Sequence, residues 1–448
     1  MSTNLNPFPT KVFRIDPVLD FTDDTAFVAV KIPVRADEAI DDQVAVVTSN
    51  RELIHWNATP DPEKVHFGEG IIAPRDCPEL LESRWSSQSI QAFLSGAKPP
   101  ATSEVHEQVR QYLQKYLGLR HPAEYDLLAL WIMGTYLKPL FKCYPILFFN
   151  APYESGKSRC LEAVSQMAFN GKWFGEISPA GFRRYSVNIK PTFCLDELTE
   201  VGLKNDSPLI SLLLNAYNSS EAVLAASGRG SSRQAELFKV TSAVAIGNVQ
   251  EIKNQALESR TLVIRTEYDS RFKNTNLPAA YDPEPSRIRD GLYGWFLSNW
   301  QSVKERYLAY PAIPALSARE MDSYKSLLAI AVTAAPEVVE AVTEYAIAVR
   351  ERRAMIKKAT DDRFDLLFFL KSELDAKGLV EELPIISNKE LADAFCRKNK
   401  LRLNYRRFLE MVNSLQVVTE IKNRSGSKYF VFSRAEIEKQ LRLCETKS

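Results

Sequence analysis

Histidine is scarce in this 448-residue chain. Its four copies, His55, His66, His106 and His121, are too dispersed to suggest a metal nuclease. The six cysteines, Cys77, Cys143, Cys160, Cys194, Cys396 and Cys444, stand singly with no CxxC pair. That spacing argues against a structural zinc site and against a disulfide framework. Cys160 and Cys194 fall inside apolar or helical runs and read as small buried hydrophobes. An excess of either charge is also lacking: 57 Lys and Arg against 56 Asp and Glu leave a net charge of +1. The molecule as a whole is therefore no electrostatic magnet for nucleic acid, and any such binding must come from a local patch. The longest apolar runs, such as LLALWIMG, fall far short of the roughly 20 residues that cross a bilayer. MSTNLNPFPT has neither a basic n-region nor an apolar h-region, so no secretory signal is expected. The expectation is a cytoplasmic protein without a membrane partner.

What is present is ordinary for globular protein, with 45% hydrophobic and 25% charged residues. The length suggests two to four domains. From Lys11 to about Pro74, the runs KVFRI, FVAVKIPV, QVAVVTS and ELIHW alternate with Asp, Pro and Asn turn signals. They predict a β-rich N-terminal domain over 1–100, a packing or assembly platform with no catalytic spacing of its own. GAKPPATS (96–103) reads as a linker. Two amphipathic helical patterns follow, EVHEQVRQYLQKYLG and EYDLLALWIMGTYLKPLF, and assign 101–145 to a helical segment. Strand and helix signals then alternate as βαβ units require, giving an α/β core over 146–270. A mainly helical region covers 271–358, ending in the basic stretch RERRAMIKK. Residues 359–448 read helix (RFDLLFFLKSEL), helix (SNKELADAFCRKN), helix (NYRRFLEMVNSL), then two strands around Gly426, the order of a winged-helix fold.

The strongest local signal follows the apolar strand YPILFFN: Ala151, Pro152, Tyr153, Glu154, Ser155, Gly156, Lys157, Ser158 and Arg159, opening the helix SRCLEAVSQMAF. In a P-loop, backbone amides at a helix start cradle phosphates. A lysine there (Lys157) reaches the β- and γ-phosphates, and a serine hydroxyl (Ser158) ligates Mg²⁺. The implied cofactors are ATP and Mg²⁺. One departure is Ala151, which stands at the first glycine of GxxxxGK[ST]. If that position needs positive φ, it is strained.

Asp196 lies 39 residues after Lys157, at the end of PTFCLDE. An apolar strand ending in Asp-Glu has the form of a Walker B segment. In that role Asp196 holds Mg²⁺ largely through water and Glu197 polarises the attacking water. Taken alone, the pair is equally a strand ending in two solvated acids. The third strand, VTSAVAIGN, ends in Asn248, placed either to orient the lytic water or as an ordinary turn residue. Arg260, in ALESRTLVI, precedes a fourth apolar strand. It suits a finger that completes a neighbouring subunit's site, or a surface salt bridge.

With these residues in hand, the chain resembles AAA+ ATPases of helicase type, and among them MCM-like replicative helicases of plasmids, phages and other mobile elements. The resemblance runs from about Tyr125 to Ile330. It rests on YDLLALWIMGTYL, ESGKSRCLEAVS, ISPAGFRR, FCLDE, LLNAY, VAIGN, ALESRTLVIR and AREMDSYKSLLAIA. It implies an AAA+ P-loop NTPase core with a helical lid, and identifies Asn248 with sensor 1 and Arg319 with sensor 2. It also implies a homo-oligomeric ring, usually hexameric, with DNA held by pore elements. The candidates for those elements are the strand–turn–strand pattern VLAASGRGSSRQAELFKV, with Arg229, Arg233 and Lys239, and the segment ISPAGFRRYS, with Arg183 and Arg184. Either could equally be a solvated loop.

In the tail, the interval Arg397–Arg434 holds ten Lys or Arg against two acids, Glu410 and Glu420. Arg406 and Arg407 lie on the candidate recognition helix; Lys422, Arg424 and Lys428 lie on the wing. Their contacts would be mostly to DNA phosphate. Packing against the motor or a partner protein is the alternative. The reading that results is an ATP-dependent DNA helicase or translocase. A second class is an AAA+ initiator or loader that binds DNA and recruits partners without processive unwinding, and a third is a degenerate ATPase serving as a binding module. No primase-like acidic cluster stands near the N-terminus, so a primase or other replication protein would be a separate partner.

Overall fold

Turn residues cut the N-terminal region into short β-branched runs, and those runs become strands. β1 (Phe13–Ile15), β6 (Val65–Phe67) and β7 (Gly70–Ile72) make a three-stranded sheet in the order β1-β7-β6. β2 (Leu19–Phe21), β3 (Ala26–Ala36), β4 (Ala39–Thr48) and β5 (Leu53–His55) make an antiparallel meander. The computed structural model describes residues 13–16, 18–36, 39–55, 65–67, 70–72, 81–198, 207–218, 223–227, 234–238, 240–266, 269–272, 276–360, 362–376, 388–398, 405–415, 417–424 and 427–446. Contacts divide the chain into two units, Met1–Ala346 and Ile347–Ser448.

Three helices lead to the central sheet of the first unit: α1 (Ser87–Leu94), α2 (Thr102–Tyr116) and α3 (Pro122–Thr135). α1 was not expected from the sequence; Ser86 caps it by accepting from the Ser89 amide. α3 carries the LLALWIMG run. Its residues Ala123 through Thr135 are all buried, so the run is a core helix wrapped on every side. Within it the Trp131 indole donates to the Pro145 carbonyl at 2.9 Å, just before the first strand of the sheet.

That sheet has five strands, all parallel: β8 (Ile146–Asn150), β9 (Lys172–Phe174), β10 (Phe193–Asp196), β13 (Val244–Asn248) and β14 (Thr261–Ile264). Their order is β14-β8-β13-β10-β9. The apolar runs of β8, β10 and β13 are buried almost throughout, as a sheet covered on both faces demands. Helices α4 (Lys157–Met167), α5 (Pro179–Ile189), α6 (Pro208–Tyr217) and α7 (Gln255–Glu258) make the crossovers. Between α6 and β13, the strands β11 (Val223–Ser227) and β12 (Gln234–Phe238) pair as an antiparallel hairpin. The fold class is α/β, a five-stranded parallel sheet flanked by helices, which is consistent with a P-loop NTPase core.

Beyond the sheet come α8 (Pro283–Ala309), α9 (Ala318–Ala334) and α10 (Pro336–Thr360). The second unit contains α11 (Asp362–Ala376), α12 (Asn388–Lys398) and α13 (Tyr405–Leu415). A hairpin of β15 (Val418–Arg424) and β16 (Ser427–Phe432) follows, then α14 (Arg434–Thr446). Leu370, Phe395, Phe408, Val412 and Phe432 are among the side chains of its own core. The winged-helix order expected from the sequence ends with the hairpin, and α14 lies beyond it. α14 forms because Ile437 and Leu441, one turn apart, both enter that core. Among the described residues no helix is long and apolar enough to cross a membrane.

One buried cation makes the energetics of the first unit testable. Lys138, in the 3₁₀ turn Lys138–Leu140, is 2% exposed, and burial pushes its ammonium down to about 7. Below that pH both folded and unfolded chains carry the proton, and the folded one bears the full cost of burying it. Between about 7 and the ordinary 10.5 the unfolded chain binds more protons, so stability rises with pH. Lys138→Met is therefore expected to stabilise the protein most below pH 7, with the gain shrinking towards pH 10. A denaturant-midpoint series across that range checks it; a constant or growing gain contradicts it.

Candidate nucleotide site

Parallel strands send all their C-terminal ends to one edge, so the loops after β8, β10 and β13 emerge together. β13 lies between β8 and β10, with Asn248 opposite Asn150 and Gly247 opposite Asp196. At roughly 4.8 Å per strand, the ends of β8 and β10 lie about 10 Å apart. The connection after β8 runs to β9 on one side of the sheet and that after β13 runs to β14 on the other, so crossovers part in opposite directions between the neighbours β8 and β13. Ligands of open α/β sheets bind at such a switch point.

The loop Ala151–Gly156 follows β8 and opens α4. Gly156 is the helix N-cap at φ 88°, and no side chain caps the helix or places an acid in its first turn. The first-turn amides therefore face an anion site without competition from the chain itself. Ala151 is buried and is not among the residues with positive φ, so the strain considered for it does not arise. The left-handed positions are Glu154, at φ 60°, and Gly156. The cost thus falls on the exposed Glu154 and not on Ala151. Ser155 is buried, its hydroxyl donating to the Pro152 carbonyl at 2.6 Å and accepting from Thr266 at 3.4 Å. Pro152, Tyr153, Glu154 and Ser158 are exposed.

Lys157 is buried, and its ammonium donates to the carbonyls of Ala151 at 2.9 Å and Pro152 at 2.6 Å. Burial pushes its pKa below the usual lysine value, while the carboxylates of Asp196 and Glu197 pull it back up. The lysine and the acid pair thus belong to one electrostatic site. Arg159 turns elsewhere: its guanidinium donates to the Phe272 carbonyl at 3.0 Å, tying the first turn of α4 to the 3₁₀ turn Ser270–Phe272.

Opposite the loop, Asp196 ends β10, and its Oδ1 is buried with no hydrogen-bond partner among the described residues. A buried carboxylate oxygen left open is costly, and a cation or its water shell is the chemistry that satisfies it. Ser158 and Asp196 therefore fit the donor set expected for Mg²⁺. Among the described residues no group of three or more His, Cys, Asp or Glu side chains is placed to hold a metal by itself. Room for the acid comes from Gly247: an added Cβ would come 2.8 Å from Leu161 Cδ1 and 3.4 Å from Asp196 Oδ1. Glu197 is exposed at φ 44°, its amide donating to the Gly247 carbonyl at 3.0 Å.

Asn248 is buried, and its amide donates to the Leu198 carbonyl at 2.8 Å. It thereby pins the turn that carries Glu197. Asn150, not among the candidates from sequence, donates to the carbonyls of Asn248 at 3.2 Å and Val249 at 3.1 Å. Paired polar residues closing adjacent apolar strands were the available signal.

Two arginines are not brought to this edge. Arg260 immediately precedes β14, and its carbonyl accepts from the Ile146 amide at the start of β8. That is the far end of a five-residue strand, about 16 Å away. Its guanidinium donates to the Ala256 carbonyl at 2.7 Å and lies 5.5 Å from the centre of the Tyr217 ring. Arg319, exposed at the start of α9, donates to the Ser259 hydroxyl at 3.4 Å. Both therefore lie at the edge opposite Lys157.

Of the nucleic-acid candidates, Arg183 is half-buried and Arg184 exposed on α5. Arg229, Arg233 and Lys239 lie outside the described residues. Arg406 is exposed on α13; the side chains of Arg407, Lys422, Arg424 and Lys428 lie outside the described ones.

The chain is similar to solved structures that include a helicase. One is the active helicase Cch of SCCmec type IV, 9% identical over 97% of this chain and 81% of that one, with a TM-score of 0.42. Others are the NrS-1 C-terminal region (13% identical, 87% and 94% covered, TM-score 0.38) and a full-length MCM homolog from Methanopyrus kandleri (14% identical, 72% and 76% covered, TM-score 0.37). No protein-family model matches the chain, and no curated protein does. At TM-scores below 0.5, these likenesses add nothing to the geometry above.

The backbone angles of the loop give a direct check. Glu154→Gly relieves a left-handed residue and is expected to leave stability unchanged or raised. Ala151→Gly relieves nothing and is expected to cost about 0.5–1 kcal/mol through the unfolded chain. Denaturant unfolding of both variants decides, and the reverse ranking contradicts the assigned loop conformation.

Proposed function

We propose that the chain is an ATP-hydrolysing motor of AAA+ type that acts on DNA. The observation that carries the reading is the meeting, at one sheet edge, of an uncapped helix start bearing Lys157 with the acid pair Asp196–Glu197. On this reading the amides of residues 155–158 and the Lys157 ammonium hold the triphosphate, whose oxygens replace the Ala151 and Pro152 carbonyls as lysine acceptors. Ser158 and Asp196 hold Mg²⁺, which supplies charge neutralisation at the phosphates. Glu197 accepts the proton of the attacking water, and Asn248 keeps the Glu197 turn in place through the Leu198 carbonyl.

Arg260 and Arg319 lie too far from this edge to serve the same pocket, which supports a role in a neighbouring subunit's site. A ring of identical subunits, hexameric in the helicases the sequence resembles, is the arrangement that brings the two edges together. The hairpin of β11 and β12, with Arg229, Arg233 and Lys239, and α5, with Arg183 and Arg184, are the proposed pore contacts to DNA phosphate. Residues 359–448 are the proposed winged-helix domain, using Arg406 and Arg407 on the helix and Lys422, Arg424 and Lys428 on the wing. Residues 1–100 are the proposed β-rich N-terminal domain, 101–145 the segment entering the motor, 146–270 the core and 271–358 the lid. Replication of a plasmid, phage or other mobile element is the proposed setting.

Forked-duplex unwinding with ATP, run on both tail polarities, tests this reading. Wild type is expected to separate the strands and Lys157→Ala to neither unwind nor hydrolyse. Hydrolysis without strand separation would instead mark an initiator or loader, and DNA-stimulated turnover by Lys157→Ala would sink the site assignment. Glu197→Gln is expected to retain ATP without releasing phosphate. Arg260→Ala subunits mixed with Lys157→Ala subunits are expected to regain part of the turnover that each lacks alone; no recovery contradicts the shared site.

A further inference from the structure

The far end of α4 holds two buried arginines that the site described above does not use. Arg84, 8% exposed, donates through Nη2 to the carbonyls of Ser165 at 2.8 Å, Gln166 at 2.8 Å and Ala168 at 3.4 Å. Its Nη1 donates to the Gly171 carbonyl at 3.0 Å. Arg289, on α8 and 2% exposed, donates through Nη1 to the same Gln166 carbonyl at 3.0 Å. Its Nε donates to the Arg84 carbonyl at 3.3 Å and its Nη2 to the Ser286 hydroxyl at 3.1 Å.

Two guanidiniums thus converge on the last carbonyls of one helix. Among the described residues Arg289 has no carboxylate within ion-pairing distance, and Arg84 has only Glu82, at 3.7 Å. Burying such cations is expensive, and a helix end can be capped by a glycine or by solvent. What favours them is the negative end of the α4 dipole, together with Glu82 for Arg84 and the Tyr281 ring, 5.8 Å away, for Arg289. The neighbouring bonds point the same way. The Gln166 side chain accepts from the Tyr112 hydroxyl at 2.6 Å and donates to the Pro278 carbonyl at 2.8 Å. The turn beyond is closed too, since a Cβ on Gly171 would collide with the Ser165 carbonyl. α2, α8 and the segment at Arg84 all hold the C-terminal end of α4, while its N-terminal end is the uncapped turn at Lys157.

We propose that Arg84 and Arg289 are positioning residues of the phosphate site: by holding the C-terminal carbonyls of α4, they fix the helix along its axis and so set where its first-turn amides stand. α4 is about 16 Å long and rigid over that span, so a shift at one end moves the other. The inference rests on the nucleotide reading of the preceding subsection. It predicts an effect on ground-state and transition-state phosphate binding alike, which raises KM and spares kcat.

Arg289→Lys keeps the charge but cannot reach Gln166, Arg84 and Ser286 at once; Ser286→Ala, removing a single partner, is the milder variant should the first fold poorly. In steady-state ATPase assays of the full chain, Arg289→Lys is expected to raise KM for ATP about ten-fold, with kcat within about two-fold of wild type. Ser286→Ala is expected to shift KM in the same direction by less. An unchanged KM in both variants, with kcat falling only as the folded fraction falls, overturns the inference while wild-type turnover leaves the nucleotide reading standing. No ATP binding or turnover by wild type overturns that reading, and the inference with it.

Discussion

The structure depends on how the first turn of α4 is satisfied. Helix amides need acceptors, and this turn has a glycine N-cap, no capping side chain, no acid and a lysine. The demand is for an anion, and the demand arises at the end of β8, a strand flanked on both sides by others of the same direction. Sheet order turns this local feature into a site, since β13 carries the ends of β8 and β10 to the same edge. Asp196 then stands at that edge with an oxygen unsatisfied among the described residues, and Gly247 leaves the room for it.

The sheet also separates charges. Lys157, Asp196, Glu197 and Asn248 gather at the C-terminal edge, while Arg260 and Arg319 stand beside Ser259 at the other. Within one copy the length of β8 separates Arg260 from the loop that carries Lys157, and Arg319 lies with Ser259 on the Arg260 side. The proposed sharing of sites between subunits follows from that separation more directly than from any motif. Within the chain, α4 joins the loop 151–156 to α8 through Arg289, and α8 leads on to α9, which carries Arg319.

The parallel core was legible because buried strands are written as uninterrupted apolar runs. ILFFN, FCLD and VAIGN each end in the polar residue that faces the site. Glu154 and the arginines at α4 were not legible for opposite reasons. Left-handed φ at Glu154 is set by loop closure, and nothing in its residue type announces it. Arg84 and Arg289 look like ordinary solvated charges in sequence; burial among backbone carbonyls is a tertiary fact. Arg159 is placed in the loop by its position in the motif, and nothing in its residue type announces that its guanidinium donates to the Phe272 carbonyl. α14 was not legible because it lies beyond the helix–helix–helix–hairpin order that marks the winged-helix pattern.

The most direct measurement is a structure determined with Mg²⁺ and a non-hydrolysable ATP analogue. The account predicts the β- and γ-phosphates on the amides of residues 155–158. It also predicts the Lys157 ammonium moved from the Ala151 and Pro152 carbonyls to phosphate, and the metal beside Ser158 and Asp196. A nucleotide bound elsewhere, or a Lys157 still closed on its own loop with the analogue present, contradicts it.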